Sequence, residues 1–230
     1  MKTRTKFREQ LLALNNEMVK MGQDIISAMT HSIDALFKKD EKAAQQIMDN
    51  DVLIDREKKS IERICFDLII RQQPVASDLR VVTAAMKMVT DMERIGDHAS
   101  DIAEMILLMG QESRVNDFDN FKKMASETMV MLNHCIESYQ ERDITKANDV
   151  IAYDDIVDVL FHKTKKDIIN LILTSPKEGE EAADLLLIAK YFERIGDHAC
   201  NIAEWVIYAL KHEDEPVGTG KNPSDTKVGK

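Results

Sequence analysis

The sequence predicts an all-α protein of two tandem three-helix bundles, and three observations carry that expectation. The twelve residues from Glu93 to Glu104, ERIGDHASDIAE, return one hundred positions later from Glu193 to Glu204 as ERIGDHACNIAE, with ten letters unchanged. At that offset the twelve residues before the block and the eight after it share no letter, so the chain is a diverged duplication that kept one block nearly intact. The composition is that of a helical protein: 13 Met, 8 Gly, 4 Pro and 5% aromatic residues within 44% hydrophobic residues. Apolar residues recur at spacings of three and four through most of the chain, without strand-like alternation.

The first helix is expected from about Phe7 to Phe37, its apolar stripe running through Leu11, Leu14, Met18, Met21, Ile25, Met29 and Leu36. Lys38 and Lys39 suit a helix C-terminus, and Asp40 is placed to cap the next helix. The second helix runs from about Glu41 to Arg71 and stops before Gln73-Pro74, because the residue preceding a proline disfavours helical geometry. Ser77 precedes a third helix that reaches about Met109. Gly110 and the polar stretch from Gln111 to Asp119 read as the linker. The second unit repeats the plan, with helices expected at Phe121 to Glu141, Ile144 to Leu173 and Gly179 to His212 and a break at Thr174-Ser175-Pro176. Long helices joined by short loops pack as antiparallel bundles, giving expected units at 1–112 and 117–212. Residues 213–230, rich in Gly, Pro, Ser, Asp and Lys, are expected to be a disordered tail.

Lys plus Arg number 31 and Asp plus Glu 41, for a formal net charge of -10. That balance argues against nucleic acid as the main partner, since such binding needs a basic stripe that releases counterions. No run of eighteen apolar residues exists, so no transmembrane segment is expected. The charged N-terminus has no signal core, and the chain reads as cytoplasmic. Cys65, Cys135 and Cys200 are odd in number and widely spaced, which supports neither a disulfide framework nor a zinc ribbon; each is expected to be a small core residue.

On a helix advancing about 100° per residue, Glu93, Asp97, Asp101 and Glu104 fall within about 80° of one another. Ile95, Ala99, Ile102 and Ile106 lie opposite and form the core stripe, so the carboxylates are expected to face away from the core. Acidic residues on an outer helix face ordinarily form a solvated surface, but two features set these apart. Like charges four residues apart cost roughly 0.2–0.5 kcal/mol per pair, and a merely solvated face should have drifted as its flanks did. A multivalent cation compensates stacked carboxylates when ligands arrive from more than one helix. The preceding helix supplies them: Asp51 and Asp55 in the first unit, Asp154 and Asp158 in the second. His98 and His198, about 100° around the helix from this stripe, read as packing or bordering residues rather than ligands. The Glu-x-x-His spacing of buried di-iron bundles is missing.

The repeated ERIGDHA block, preceded in the first unit by PVASDLR from Pro74 to Arg80, resembles the PhoU family of phosphate-transport regulators over essentially the whole chain except its tail. The resemblance implies two three-helix bundles related by pseudo-twofold symmetry, with acidic motifs that in some members hold multinuclear iron or zinc clusters. Carried over by position, the metal-motif residues are Asp51, Asp55, Glu93 and Asp97 in the first unit and Asp154, Asp158, Glu193 and Asp197 in the second. Asp101 extends the first site; its counterpart Asn201 is an uncharged oxygen donor, which implies weaker binding or fewer ions in the second. The second unit has Asp184-Leu-Leu in place of Asp78-Leu-Arg, so Arg80 is unmatched. The resemblance further implies a cytoplasmic, often homodimeric negative regulator coupling the ATPase subunit of a Pst-type phosphate ABC transporter to a phosphate-sensing histidine kinase. Nothing resembling a nucleophile with its base, a Gly-rich phosphate loop or an open zinc site appears, so an enzyme is not expected. A carboxylate-bridged metal hydrolase or redox enzyme and a metal-storage protein are the competing classes. The chain offers a poor anion site of its own, and phosphate sensing is expected of the partners.

Overall fold

The computed structural model describes residues 2–211, so the expected tail at 213–230 lies outside the described residues. Six long helices run through it: α1 Lys2–Lys38, α2 Glu41–Gln72, α3 Ala76–Met109, α4 Asp119–Glu141, α5 Ile144–Thr174 and α6 Gly179–Leu210. No strand occurs among the described residues. Each helix falls within a few residues of its expected place. The exception is the start of α1, whose charged first turns show no apolar stripe yet have adequate helix propensity.

The duplication is visible in the turns. Asp40 caps α2 by accepting from the backbone N–H groups of Lys42 and Ala43, and Asp143 caps α5 through Thr145 and Lys146. In both turns the preceding residue, Lys39 or Arg142, takes a positive φ of 55° or 56°. The backbone bonds match as well: Asp40 N–H to Ala35 O at 2.9 Å and Asp143 N–H to Ser138 O at 3.0 Å, the six-to-one bond that closes a helix end. The offset here is 103 residues, so α2 and α5 correspond at 103 while α3 and α6 correspond at 100. The difference is taken up by the helix ends at the turn around Pro176: by these offsets α5 stops one residue earlier than α2 and α6 starts three residues later than α3, while the connection itself is one residue longer.

Within each unit the second and third helices pack together and the first lies across both. The units then join through α3 against α6 and α1 against α4. Asp91 meets His198 and His98 meets Tyr191, so α3 and α6 run antiparallel. Phe37, Phe121 and Phe192 pack edge to face, with centroids 6.4 and 5.9 Å apart, linking α1 to α4 and α6. The buried side chains form one connected cluster through both units rather than two separate cores.

The stretch after Gly110, expected as a plain linker, is a fastened strap. It contains a short 3-10 turn, Val115–Asp117, with Val115 and Ser113 buried. Asn116 donates to Phe37 O, and Arg114 bonds Asp117 and Glu178 through its side chain and Glu181 through its backbone N–H.

Candidate functional site

The first acidic face forms where α2 crosses α3, and a glycine sets how closely they approach. A Cβ at Gly96 would stand 2.8 Å from Ile54 Cδ1 and 3.0 Å from its Cγ2. Only a missing side chain lets Ile54 settle on the α3 backbone, and Asp51 and Asp55, three residues before Ile54 and one after, come down with it. As a result Asp55, Glu93 and Asp97 each bring a carboxylate oxygen within 4.8 Å of the others. Asp51 lies outside that triplet but within its field: burial first, then the charges of Asp97, Asp55, Asp101 and Glu93, raise its pKa. The Asp97 pKa is also raised, by burial and then by Glu93, against the opposing pull of Arg94.

Glu93 is not the outward residue that the angular argument expects. It is 9% exposed, because α2, seated on Gly96, covers that end of the stripe. One Glu93 oxygen lies 3.0 Å from Lys58 Nζ; the other, Oε2, is buried and accepts no hydrogen bond, with Arg94 Nε 3.7 Å away. Arg94 donates to Asp97 Oδ2 at 2.9 Å. Lys58 and Arg94 thus offset part of the negative charge and leave one buried Glu93 oxygen without a hydrogen-bond donor, on a carboxylate that gathers with two others. An isolated buried acceptor of this kind is costly.

The second face has the same parts in a different arrangement. Phe161 occupies the position corresponding to Lys58, and the cation for Glu193 comes instead from Lys190, which also lies 5.5 Å over the Phe161 ring. At Gly196 a Cβ would meet Asp154 Oδ1 at 3.0 Å. The Asp154 carboxyl is pushed up to about 6 by burial and by Asp158, Asp197 and Asp155, with a hydrogen bond from Cys200 opposing the shift. The Asp197 pKa is raised by burial and then by Glu193. Among the described residues Asp154, Asp158, Glu193 and Asp197 do not converge as the first set does. Cys65 and Cys135 are core residues, whereas Cys200 is half-buried beside this carboxylate set, a departure from the expected core role.

Asp101 and Asn201 also make contacts at the junction of the two units. His98, 7% exposed, lies with Nδ1 3.0 Å from Asp101 Oδ2 and stacks on Tyr191 at 5.3 Å. His198 Nδ1 lies 2.8 Å from Asp91 Oδ1, and Asn201 donates to the same oxygen at 3.1 Å. The two histidine rings are 5.8 Å apart across the junction of the units. Each histidine therefore has one carboxylate, supplied by its own helix in one case and by the opposite helix in the other. Asn201 is directed at Asp91 rather than at Asp154 or Asp158.

Sequence reading missed three things. Gly96 and Gly196 were legible in principle, since a glycine kept mid-helix in both copies costs helix stability of about 1 kcal/mol against alanine and calls for a packing reason. Lys190 sits three residues before Glu193 and was also within reach; Lys58 and Asp91, which act across helices, were not. The third is a cavity of about 470 Å³ between α1 and α2, bordered by charged as well as apolar side chains, among them Lys20, Asp24, Asp51, Ile54 and Glu57. Glu93 and Asp97 do not line it.

Comparison with known proteins follows the duplication. The family model described as PhoU domain matches residues 18–106 and 121–206. A phosphate-specific transport system accessory protein PhoU homolog of Clostridium acetobutylicum is 34% identical over 209 residues, spanning 90% of this chain and 95% of that protein. The crystal structure of PhoU from Pseudomonas aeruginosa superposes with a TM-score of 0.85 at 28% identity, covering 89% of this chain and 99% of that one. The phosphate transport system regulatory protein PhoU from Streptococcus pneumoniae gives 0.80 at 27% identity, covering 88% and 96%.

Proposed function

Because the chain belongs to the PhoU family, we propose that it acts as a cytoplasmic negative regulator of phosphate uptake, coupling a Pst-type phosphate ABC transporter to a phosphate-sensing histidine kinase. The family is one of transport accessory proteins, and no helix among the described residues is long and apolar enough to cross a membrane. Those facts support a role at the transporter rather than as part of its channel. In this reading the acidic face of the first unit holds a cation that fixes the α2–α3 pair in its signalling shape.

The observation that carries the cation is the buried Glu93 Oε2, without a hydrogen-bond donor, beside Asp55 and Asp97. Asp55, Glu93 and Asp97 would hold the ion, with Asp51 next to them. An all-oxygen donor set suits iron or another hard cation better than zinc. The bound cation would supply charge compensation, and the chain's own contribution is to position the carboxylates and shield Glu93 from water. The second face, with Lys190 on Glu193 and Asn201 directed elsewhere, would bind more weakly.

The reading is tested by phosphate uptake and kinase output in phosphate-replete cells that lack the protein. Both are expected to rise and to return to normal with the wild-type chain. Uptake and kinase output unaffected by its loss would refute the regulatory role.

A further inference from the structure

The duplication extends to the groove that the first helix of each unit forms with the second. Ser32 donates its hydroxyl to Ala99 O at 3.1 Å and Cys135 its thiol to Ala199 O at 3.2 Å, so α1 and α4 correspond at the offset of 103 already fixed by the Asp40 and Asp143 caps. Among the exposed residues of α1 from Lys20 to Lys38, only Lys20 and His31 return unchanged, as Lys123 and His134. Asp24 keeps its charge as Glu127. A lysine, a carboxylate and a histidine therefore stand along both grooves, on a face whose other exposed letters have drifted.

In the second groove a tyrosine lies between these groups. Tyr153 of α5 reaches across to α4, donates its hydroxyl to Glu127 and meets the His134 ring edge to face, with centroids 6.4 Å apart. Met131, fully buried, extends to the α6 backbone, its Sδ 3.6 Å from where a Cβ on Gly196 would stand. The space left open in this unit is bordered by Glu127, Lys123, Val159 and Lys163, and neither Tyr153 nor His134 borders it.

The first groove has the same polar groups without the two fillers. Asn50 stands in the place of Tyr153 and Ala28 in that of Met131. Both are shorter, and the result is the cavity of about 470 Å³ bordered by Asp24, Ala28, His31, Asn50 and Gly96, a size ordinary for small-molecule sites. Glu57, where the second unit has Leu160, adds a further demand. Lys20 holds one Glu57 oxygen and lies 3.3 Å from Asp24, while Glu57 Oε2 is buried and accepts no hydrogen bond. A buried acceptor without a donor is costly, so this one calls for an N–H or O–H from whatever fills the cavity. The charged groups on the wall are Asp24, Asp51 and Glu57 against Lys20 and Arg56, an excess of one negative charge, and His31 Nδ1 faces Ser27 Oγ at 3.3 Å. That balance disfavours an anion and suits an uncharged donor.

We propose that the cavity between α1 and α2 binds a small uncharged phenol, its ring held beside His31 as the Tyr153 ring is held beside His134, and its hydroxyl donating to Asp24 or Glu57. The occupant is read from the second unit, where the chain supplies the same chemistry from its own side chain. The site stands independently of the regulatory reading above. Because α1 and α2 both wall the cavity, a bound molecule ties the two helices together and stabilises the fold by mass action.

The probe is p-cresol, the tyrosine side chain alone, titrated into metal-free full-length protein and followed by amide proton–nitrogen NMR. Saturable shifts confined to the residues of α1, α2 and Gly96 around the cavity are expected, with a Kd of about 1 mM or tighter. Ala28→Met/Asn50→Tyr, which installs the fillers of the second unit, is expected to weaken binding about tenfold or more with helical content unchanged. Tyr153→Asn is expected to open a second p-cresol site between α4 and α5; no such site would break the correspondence on which the placement of the ring rests. p-Xylene, with a methyl group for the hydroxyl, is expected to bind about tenfold more weakly, the loss of one hydrogen bond to a charged acceptor. Equal binding of p-xylene would overturn the phenol assignment in favour of a purely apolar cavity. Displacement of p-cresol by inorganic phosphate would overturn it in favour of an anion site, and a tyrosine-containing tripeptide that binds tenfold tighter than p-cresol would assign the cavity to a side chain of a partner protein. Shifts that do not saturate, lie away from the cavity or persist unchanged in Ala28→Met/Asn50→Tyr would show that the cavity is no phenol site.

Discussion

At the scale of single residues, Gly96 and Gly196 explain much of why the repeated block resists change. Gly96 lets Ile54 lie against α3, and the β-branched Ile54 side chain has little rotamer freedom to escape an added methyl. Gly96→Ala is therefore expected to cost about 1–3 kcal/mol by overpacking, seen as a lower melting temperature. Gly196→Ala should cost less, since the nearest atom is the end of the Asp154 carboxylate, which can swing aside. Equal and negligible losses would contradict the packing role. Asp154 makes a second residue-scale case. Its carboxyl pKa, about 6 in the folded chain against an ordinary 3.8, means that the fold favours its protonated form. The resulting stabilisation is full below about pH 3.8 and is lost as pH rises through about 6, so at pH 7.5 the ionised group is a liability. In metal-free protein, Asp154→Asn is expected to raise the melting temperature at pH 7.5 by about 2–4 °C, corresponding to about 1 kcal/mol after solvent screening. Near pH 4 the difference should nearly vanish; a gain of the same size at both pH values would contradict this cause.

At the scale of elements, the caps are the clearest debt of structure to sequence. Asp40 was legible because a capping residue need only precede a periodic stretch, and it accepts backbone bonds as expected; Asp143, its counterpart 103 residues on, does the same in the structure. Asp40→Ala and Asp143→Ala are each expected to cost about 0.5–2 kcal/mol, measured by thermal melts followed by circular dichroism. No change on either substitution would show that tertiary packing alone holds these helix ends. Helix places and the apolar faces were legible for the same reason: they depend on spacing within one segment. The strap after Gly110 was not, since its order comes from Arg114 reaching residues 64 and 67 positions away. The burial of Glu93 was hidden likewise. Its angle on α3 is correct, but the cover belongs to α2 and follows from the absence of a side chain at Gly96.

At the scale of the whole molecule, duplication has produced a joined structure rather than two beads. One connected core runs through α3 and α6, and the histidine junction ties Asp91, Asp101, Tyr191 and Asn201 across it. Trp205, the only tryptophan, lies in the second unit, so its fluorescence and far-ultraviolet circular dichroism should melt in one coincident transition. Separate transitions would mean that the units unfold independently. The same scale shows why the candidate site was only partly legible. Its carboxylates could be named from the sequence, whereas the two faces differ through Lys58, which reaches Glu93 from α2, and Phe161, which stands in its place in the second unit and leaves Glu193 to Lys190 of its own helix. The central claim is that the first repeat's carboxylates form a cation-holding face rather than a solvated one. Its most direct test is calorimetric titration of chelator-stripped protein with ferrous iron under anaerobic conditions, wild type against Asp55→Asn/Glu93→Gln/Asp97→Asn. A saturable site in wild type that disappears in the triple variant, while the helical content of both remains the same, is the expected result; equal uptake by the two proteins, or none by wild type, would contradict it.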